Sequence, residues 1–163
     1  MTLLSTTSVT ASSSITVSSI SQSYKHLLVE IWGAKGGNDG GGIKINSSVA
    51  PTAGDFRQYS SENTSSTSAG TGFGSAVIWP NSPSYLTSDG AKNYGFIMFW
   101  NYTDTSQMKW AETGSTYVQN SSYVKGTRGN FFWNVTAAID QIVYAPASGS
   151  WDAVGEIKIY GVN

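Results

Sequence analysis

The chain has 163 residues, of which 39% are apolar and 12% charged, and its 9 basic and 10 acidic side chains leave a net charge of −1. Two Arg and no basic stripe argue against a nucleic-acid partner, the absence of Cys excludes a disulfide framework and a cysteine nucleophile, and no apolar run approaches the ~20 residues of a membrane-spanning helix. Polarity comes instead from 26 Ser and 16 Thr, while six Trp and nine Tyr mark a chain with a core to build, since disordered chains are poor in aromatics.

Residues 1–14 are Ser, Thr and small apolar residues without turn punctuation or helical period. The start lacks the basic and apolar segments of a signal peptide. A segment of this composition cannot form its own core, so 1–14 reads as an arm whose Leu3, Leu4 and Val9 are expected to dock on another chain. Residues 15–163 read as one domain. Ile15–Val17 alternates with the period of a half-buried strand, and Leu27–Trp32 is rich in β-formers. The segment 33–42 holds six Gly around Asn38-Asp39-Gly40. Asn38 and Asp39 carry oxygens of the kind that hold Ca²⁺, but a tight turn accounts for both through their tolerance of positive φ, and no metal is assigned.

Further strands are predicted at Ile43–Ile45, Phe56–Tyr59, Gly72–Trp79, Tyr94–Tyr102, Gln107–Ala111, Tyr117–Gln119, Asn130–Val135, Asp140–Tyr144 and Val154–Tyr160. Ser60–Gly72 and Asn81–Ala91 read as loops. At most one helical turn is expected, at Asn134–Ile139. Short strands separated by turn residues indicate an all-β, antiparallel sandwich of jelly-roll type. Trp32, Trp100, Trp133 and Tyr160 lie in strand patterns and are expected to point inward. Trp79 and Tyr85 border the loop Asn81–Gly90 and are the candidates for contact with a carbohydrate or a neighbouring subunit.

Several segments occur in an order met elsewhere. Ile15-Thr16-Val17-Ser18-Ser19-Ile20 precedes Tyr24-Lys25-His26-Leu27. Ile45-Asn46 ends a strand, and Gln58-Tyr59-Ser60 follows. Trp100-Asn101-Tyr102-Thr103-Asp104-Thr105 leads to Lys109, and Trp133-Asn134-Val135-Thr136 leads to Ile139-Asp140-Gln141-Ile142. The chain closes on Ile159-Tyr160-Gly161-Val162. This order resembles a β-sandwich family of tailed-phage virion proteins, over residues 15–162. The resemblance implies a structural protein located in the virion. A capsid decoration (cement) protein on the outside of the head shell is expected first, with the major capsid protein or other virion proteins as partners. The alternative is a tail-fibre or receptor-binding sandwich recognising host surface polysaccharide. Aromatic surface beyond the needs of one small core suggests a closed homo-oligomer, a trimer.

No catalytic residues are assigned and no enzyme is expected. His26 is the only histidine, so a Ser-His-Asp triad would have to run through it, and it lies inside a predicted strand as a structural group. The ten acids show no spacing that selects a glycosidase pair. Gly36, Gly37 and Gly40–Gly42 are followed by the strand-like Ile43-Lys44-Ile45 and not by the helix a phosphate loop requires. No cofactor is expected.

Overall fold

The computed structural model describes residues 1–34, 41–47, 49–60, 65–71, 76–78, 93–119, 123–146, 149–152 and 155–163. They form an antiparallel β-sandwich without a helix. Its strands are β1 (Thr2–Ser8), β2 (Ile15–Val17), β3 (His26–Trp32), β4 (Gly41–Ile45), β5 (Ala53–Ser60), β6 (Ser65–Thr71), β7 (Ala76–Ile78), β8 (Asn93–Trp100), β9 (Lys109–Gln119), β10 (Tyr123–Trp133), β11 (Ile142–Pro146) and β12 (Glu156–Val162). One sheet has eight strands in the order β1-β12-β3-β8-β9-β10-β5-β6, and the other has four in the order β2-β11-β4-β7. The small-sheet order and the pairs β3–β8 and β5–β6 are jelly-roll pairings. The hairpin β9–β10 is inserted between β8 and β5, and β12 and β1 extend the other side.

Period-2 alternation decides which side chains enter the core. Leu27, Val29 and Ile31 of β3, Ile157 and Ile159 of β12, Ile97 and Phe99 of β8, and Phe131 and Trp133 of β10 are buried. Ile15, Val17, Ile43, Ile45, Ile142 and Tyr144 of the small sheet join them in one cluster. Phe99 packs on Trp133 at 5.3 Å between ring centroids, and Tyr144 stacks on Trp151 at 4.3 Å. Toward the far ends of β9 and β10 the inner positions turn polar, and the buried hydroxyls of Ser115 and Thr127 lie 2.7 Å apart.

Polar residues of several loops meet at one end of the sandwich. Asn46, with φ 39°, donates from Nδ2 to the carbonyl of Ala138 at 2.7 Å and accepts at Oδ1 from the Asp140 N–H at 3.1 Å. Gln22 Nε2 donates to the carbonyls of Ile20 and Ile139 at 2.8 and 3.0 Å. The Tyr102 hydroxyl donates to the Ser21 carbonyl, and the Ile139 N–H donates to the Tyr102 carbonyl. Lys109 is buried, and its ammonium is satisfied by the carbonyls of Asp104 and Gln107, while burial pushes its pKa down. These residues satisfy the polar backbone of three loops, a structural role.

Four expectations change. Residues 1–14 are not an arm reaching for a neighbour: β1 pairs with β12 of its own sheet, Val9 is buried in the chain's own core, and Leu4 packs against it. Of Leu3, Leu4 and Val9, only Leu3, 52% exposed, is left uncovered. Pairing with β12 satisfies the backbone of a segment whose side chains contribute little. Ser65–Thr71 is a strand and not part of a loop, because it pairs along β5. The strands expected at Gln107–Ala111 and Tyr117–Gln119 are one strand, β9, paired along its whole length with β10. Asn134–Ile139 makes no helical turn.

Candidate binding surface

The inner face of the large sheet is spent on the core, so the same alternation sends the even-numbered residues of β3, β8 and β12, and those within 110–116 of β9 and 126–132 of β10, to its outer face. Strand registers arrange them in cross-strand rows. One row runs Lys158, Glu30, Phe96, Gly114, Arg128, and its neighbour runs Tyr160, Leu28, Met98, Glu112, Asn130. A third brings Glu156, Trp32, Tyr94 and Thr116 together, and the last joins His26, Trp100, Trp110 and Phe132.

The outer face is aromatic at both ends. At one end the Trp32 and Tyr94 rings lie 4.4 Å apart and share the carboxylate of Glu30, which accepts from the Tyr94 hydroxyl at 2.8 Å and from Trp32 Nε1 at 3.3 Å. Burial, then the bond to Glu30, raises the Tyr94 pKa. Phe96 lies across Gly114, where a Cβ would come within 2.5 Å of the ring, and Arg128 sits 5.7 Å from the Phe96 centroid. At the other end His26 meets Trp100 edge-on at 4.9 Å, and Trp100 stacks on Trp110 at 5.8 Å. Beside Trp110 is a shallow apolar depression of about 350 Å³, lined by Ala53, Gly54, Trp110, Asn130, Phe131 and Phe132. Cross-strand aromatic pairs also stabilise the sheet itself, by roughly 0.2–1 kcal/mol each.

Trp32 and Trp110 remain 43% and 42% exposed, against the expectation that Trp32 points inward. Trp133 is fully buried as expected, whereas Trp100 and Tyr160 are half-buried on the outer face. Parity held the signal: once Leu27, Val29 and Ile31 face the core, Trp32 must face away, and Ala111 places Trp110 outside in the same way. Trp79 and Tyr85 lie outside the described residues, as do Asn38 and Asp39. His26 accepts at Nδ1 from the Asn101 N–H at 3.0 Å, and this bond together with Trp100 gives it a structural place. No group of three or more His, Cys, Asp or Glu that could hold a metal occurs among the described residues.

A second surface is the rim of the large sheet. Its outermost strands, β1 and β6, are each seven residues long, with sequences TLLSTTS and SSTSAGT. Neither carries a charge or a proline, and neither has a second neighbour among the described residues. The β1–β12 register shifts between Leu3 and Ser5 and is regular over Ser5–Ser8.

No protein-family model, no curated protein and no solved structure matches this chain.

Proposed function

We propose that this chain is a non-enzymatic structural protein of a phage particle, a decoration protein of the head shell that assembles as a homotrimer by joining the edges of its large sheets. The observation that carries the reading is the chemistry of the two rims. An open sheet edge is a template for another chain, and monomeric proteins blunt it with Lys, Pro, short strands or bulges. Here both rims are uncharged, hydroxyl-rich and of equal length, and only one irregularity interrupts β1. Pairing β1 of one copy with β6 of the next is a heterologous contact, and rotation closes such contacts into a ring. The resemblance of the ordered segments to those of tailed-phage virion sandwiches supports the location. The major capsid protein is then the partner beneath the ring.

The test is the mass of the full chain in solution by light scattering, compared with the double variant Thr6→Glu/Ser8→Lys. The new charges face Lys158 and Glu156 in register, so they pair within the chain while obstructing an incoming strand. Wild type is expected at three times the chain mass of 17.3 kDa and the variant at one, with unchanged circular dichroism. Wild type at single-chain mass, or a variant that stays trimeric, overturns the rim-to-rim assembly. Counting copies in purified particles tests the location: hundreds place the chain on the shell, and a few to a few tens place it in the tail.

A further inference from the structure

We propose that the depression beside Trp110 is a binding site for a neutral pyranose ring with equatorial hydroxyls, a glucose-type unit of an uncharged glycan. The inference goes beyond the assembly reading, because the site lies on the outer face of the sheet and not on its rim.

Three features point to this ligand. The first is the floor. Trp110 is 42% exposed and stands next to Phe132 in register, and Ala53 and Gly54 are too small to fill the space at their side. A Cβ on Gly54 would fall 2.4 Å from the ring of the buried Phe131, so the core side of the sheet requires glycine here and no side chain is added beside the depression. The second is size. About 350 Å³ lies at the small end of the range for ligand sites, roughly 300–1,000 Å³. That suits one or two sugar rings lying on the Trp110 face.

The third is the polar border. Asn130 and Glu112 are paired in register one row from Trp110 and Phe132. An exposed amide both donates and accepts, and a carboxylate accepts. A pyranose with equatorial hydroxyls presents a flat face of C–H groups ringed by O–H groups, which matches an aromatic floor bordered by Asn130 and Glu112. Glu112 disfavours an acidic sugar. Arg128, the cation nearest along β10, is engaged over Phe96. Strands β9 and β10 are paired from Lys109 to Gln119, so the groups are held on a rigid element before a ligand arrives.

Saturation-transfer NMR on the full-length protein with methyl β-D-glucopyranoside and cellotetraose tests the site, with intrinsic Trp fluorescence as a second readout. The expected result is transfer to the axial ring protons and a shifted Trp emission, with weak but saturable binding. Trp110→Ala is expected to lower affinity about tenfold or more, the scale of one lost aromatic contact, and Asn130→Ala to lower it less. Trp32→Ala, equally exposed at the other end of the face, and the rim variant Thr6→Glu/Ser8→Lys should bind as wild type does. Absence of transfer from both glucosides, or equal binding by Trp110→Ala, overturns the proposal. So does self-association that shields Trp110 from iodide quenching in the rim variant, because a second copy would then be the occupant. A wild type of single-chain mass that still binds, or a rim variant that stays trimeric and binds, would reject only the assembly reading.

Discussion

Tyr144 and His26 show how single groups set local energetics. The Tyr144 hydroxyl is fully buried with no hydrogen-bond partner among the described residues, and burial raises its pKa. A buried polar group left unpaired costs about 1–3 kcal/mol, so the ring is retained for its stacking on Trp151. Tyr144→Phe keeps the stack and removes the orphan, and it is expected to raise the urea midpoint by the equivalent of roughly 1 kcal/mol; a drop would show that the hydroxyl has a partner in solution. His26 works in the opposite sense. Its Nδ1 accepts from the Asn101 N–H, which requires the neutral ring, and burial followed by the charge of Lys25 lowers its pKa below 6.5. Below pH 6.5 the unfolded chain binds the proton that the folded chain refuses. The stabilisation is therefore complete above 6.5 and is lost as pH falls through the lowered folded value. Urea titrations from about pH 7.5 to about pH 5 should show a falling midpoint, with a smaller fall in His26→Gln.

Strand β1 depends on its C-terminal anchor more than on its own side chains. The Val9 N–H donates to the Gly155 carbonyl at 2.9 Å, and the Val9 side chain is buried. Gly155 has φ 96°, and a Cβ there would lie 2.5 Å from both the Ala34 nitrogen and the Trp32 carbonyl oxygen. Only glycine fits where β12 begins. Val9→Ser removes apolar burial worth about 1.5 kcal/mol or more. Hydrogen exchange is expected to show faster exchange at Thr2–Ser8 while β3 and β8 keep their protection. Uniform loss of protection across the large sheet would instead mean that β1 and the sheet open as one unit.

Taken as a molecule, the sandwich separates its tasks by face. The inner faces make the core, the loops at one end are held by polar side chains, and the rims and outer face are the surfaces proposed for partners. The proposed rim-to-rim assembly would link stability to concentration, because a contact made only by folded chains stabilises the folded state by mass action. The Tm of wild type should therefore rise with protein concentration, and that of Thr6→Glu/Ser8→Lys should not.

How much of this was legible in sequence follows from what is local. Alternation in Leu27–Trp32 and in Glu156–Val162 is a property of consecutive residues, so the all-β sandwich and most of its strands could be read directly. Partner strands are not local. Ser65–Thr71 has no apolar pattern and becomes a strand only because β5 supplies its hydrogen bonds, and Thr2–Ser8 does so only because β12 ends beside it. The outer-face site shows the same division. Parity alone sends Trp32 and Trp110 outward, whereas the adjacency of Trp110, Phe132, Asn130 and Glu112 rests on the β9–β10 register. Composition determined that this chain would form a β-rich core with few charges. Tertiary pairing decided which aromatic residues that core left exposed, because a sheet has two faces and the small sheet covers only one.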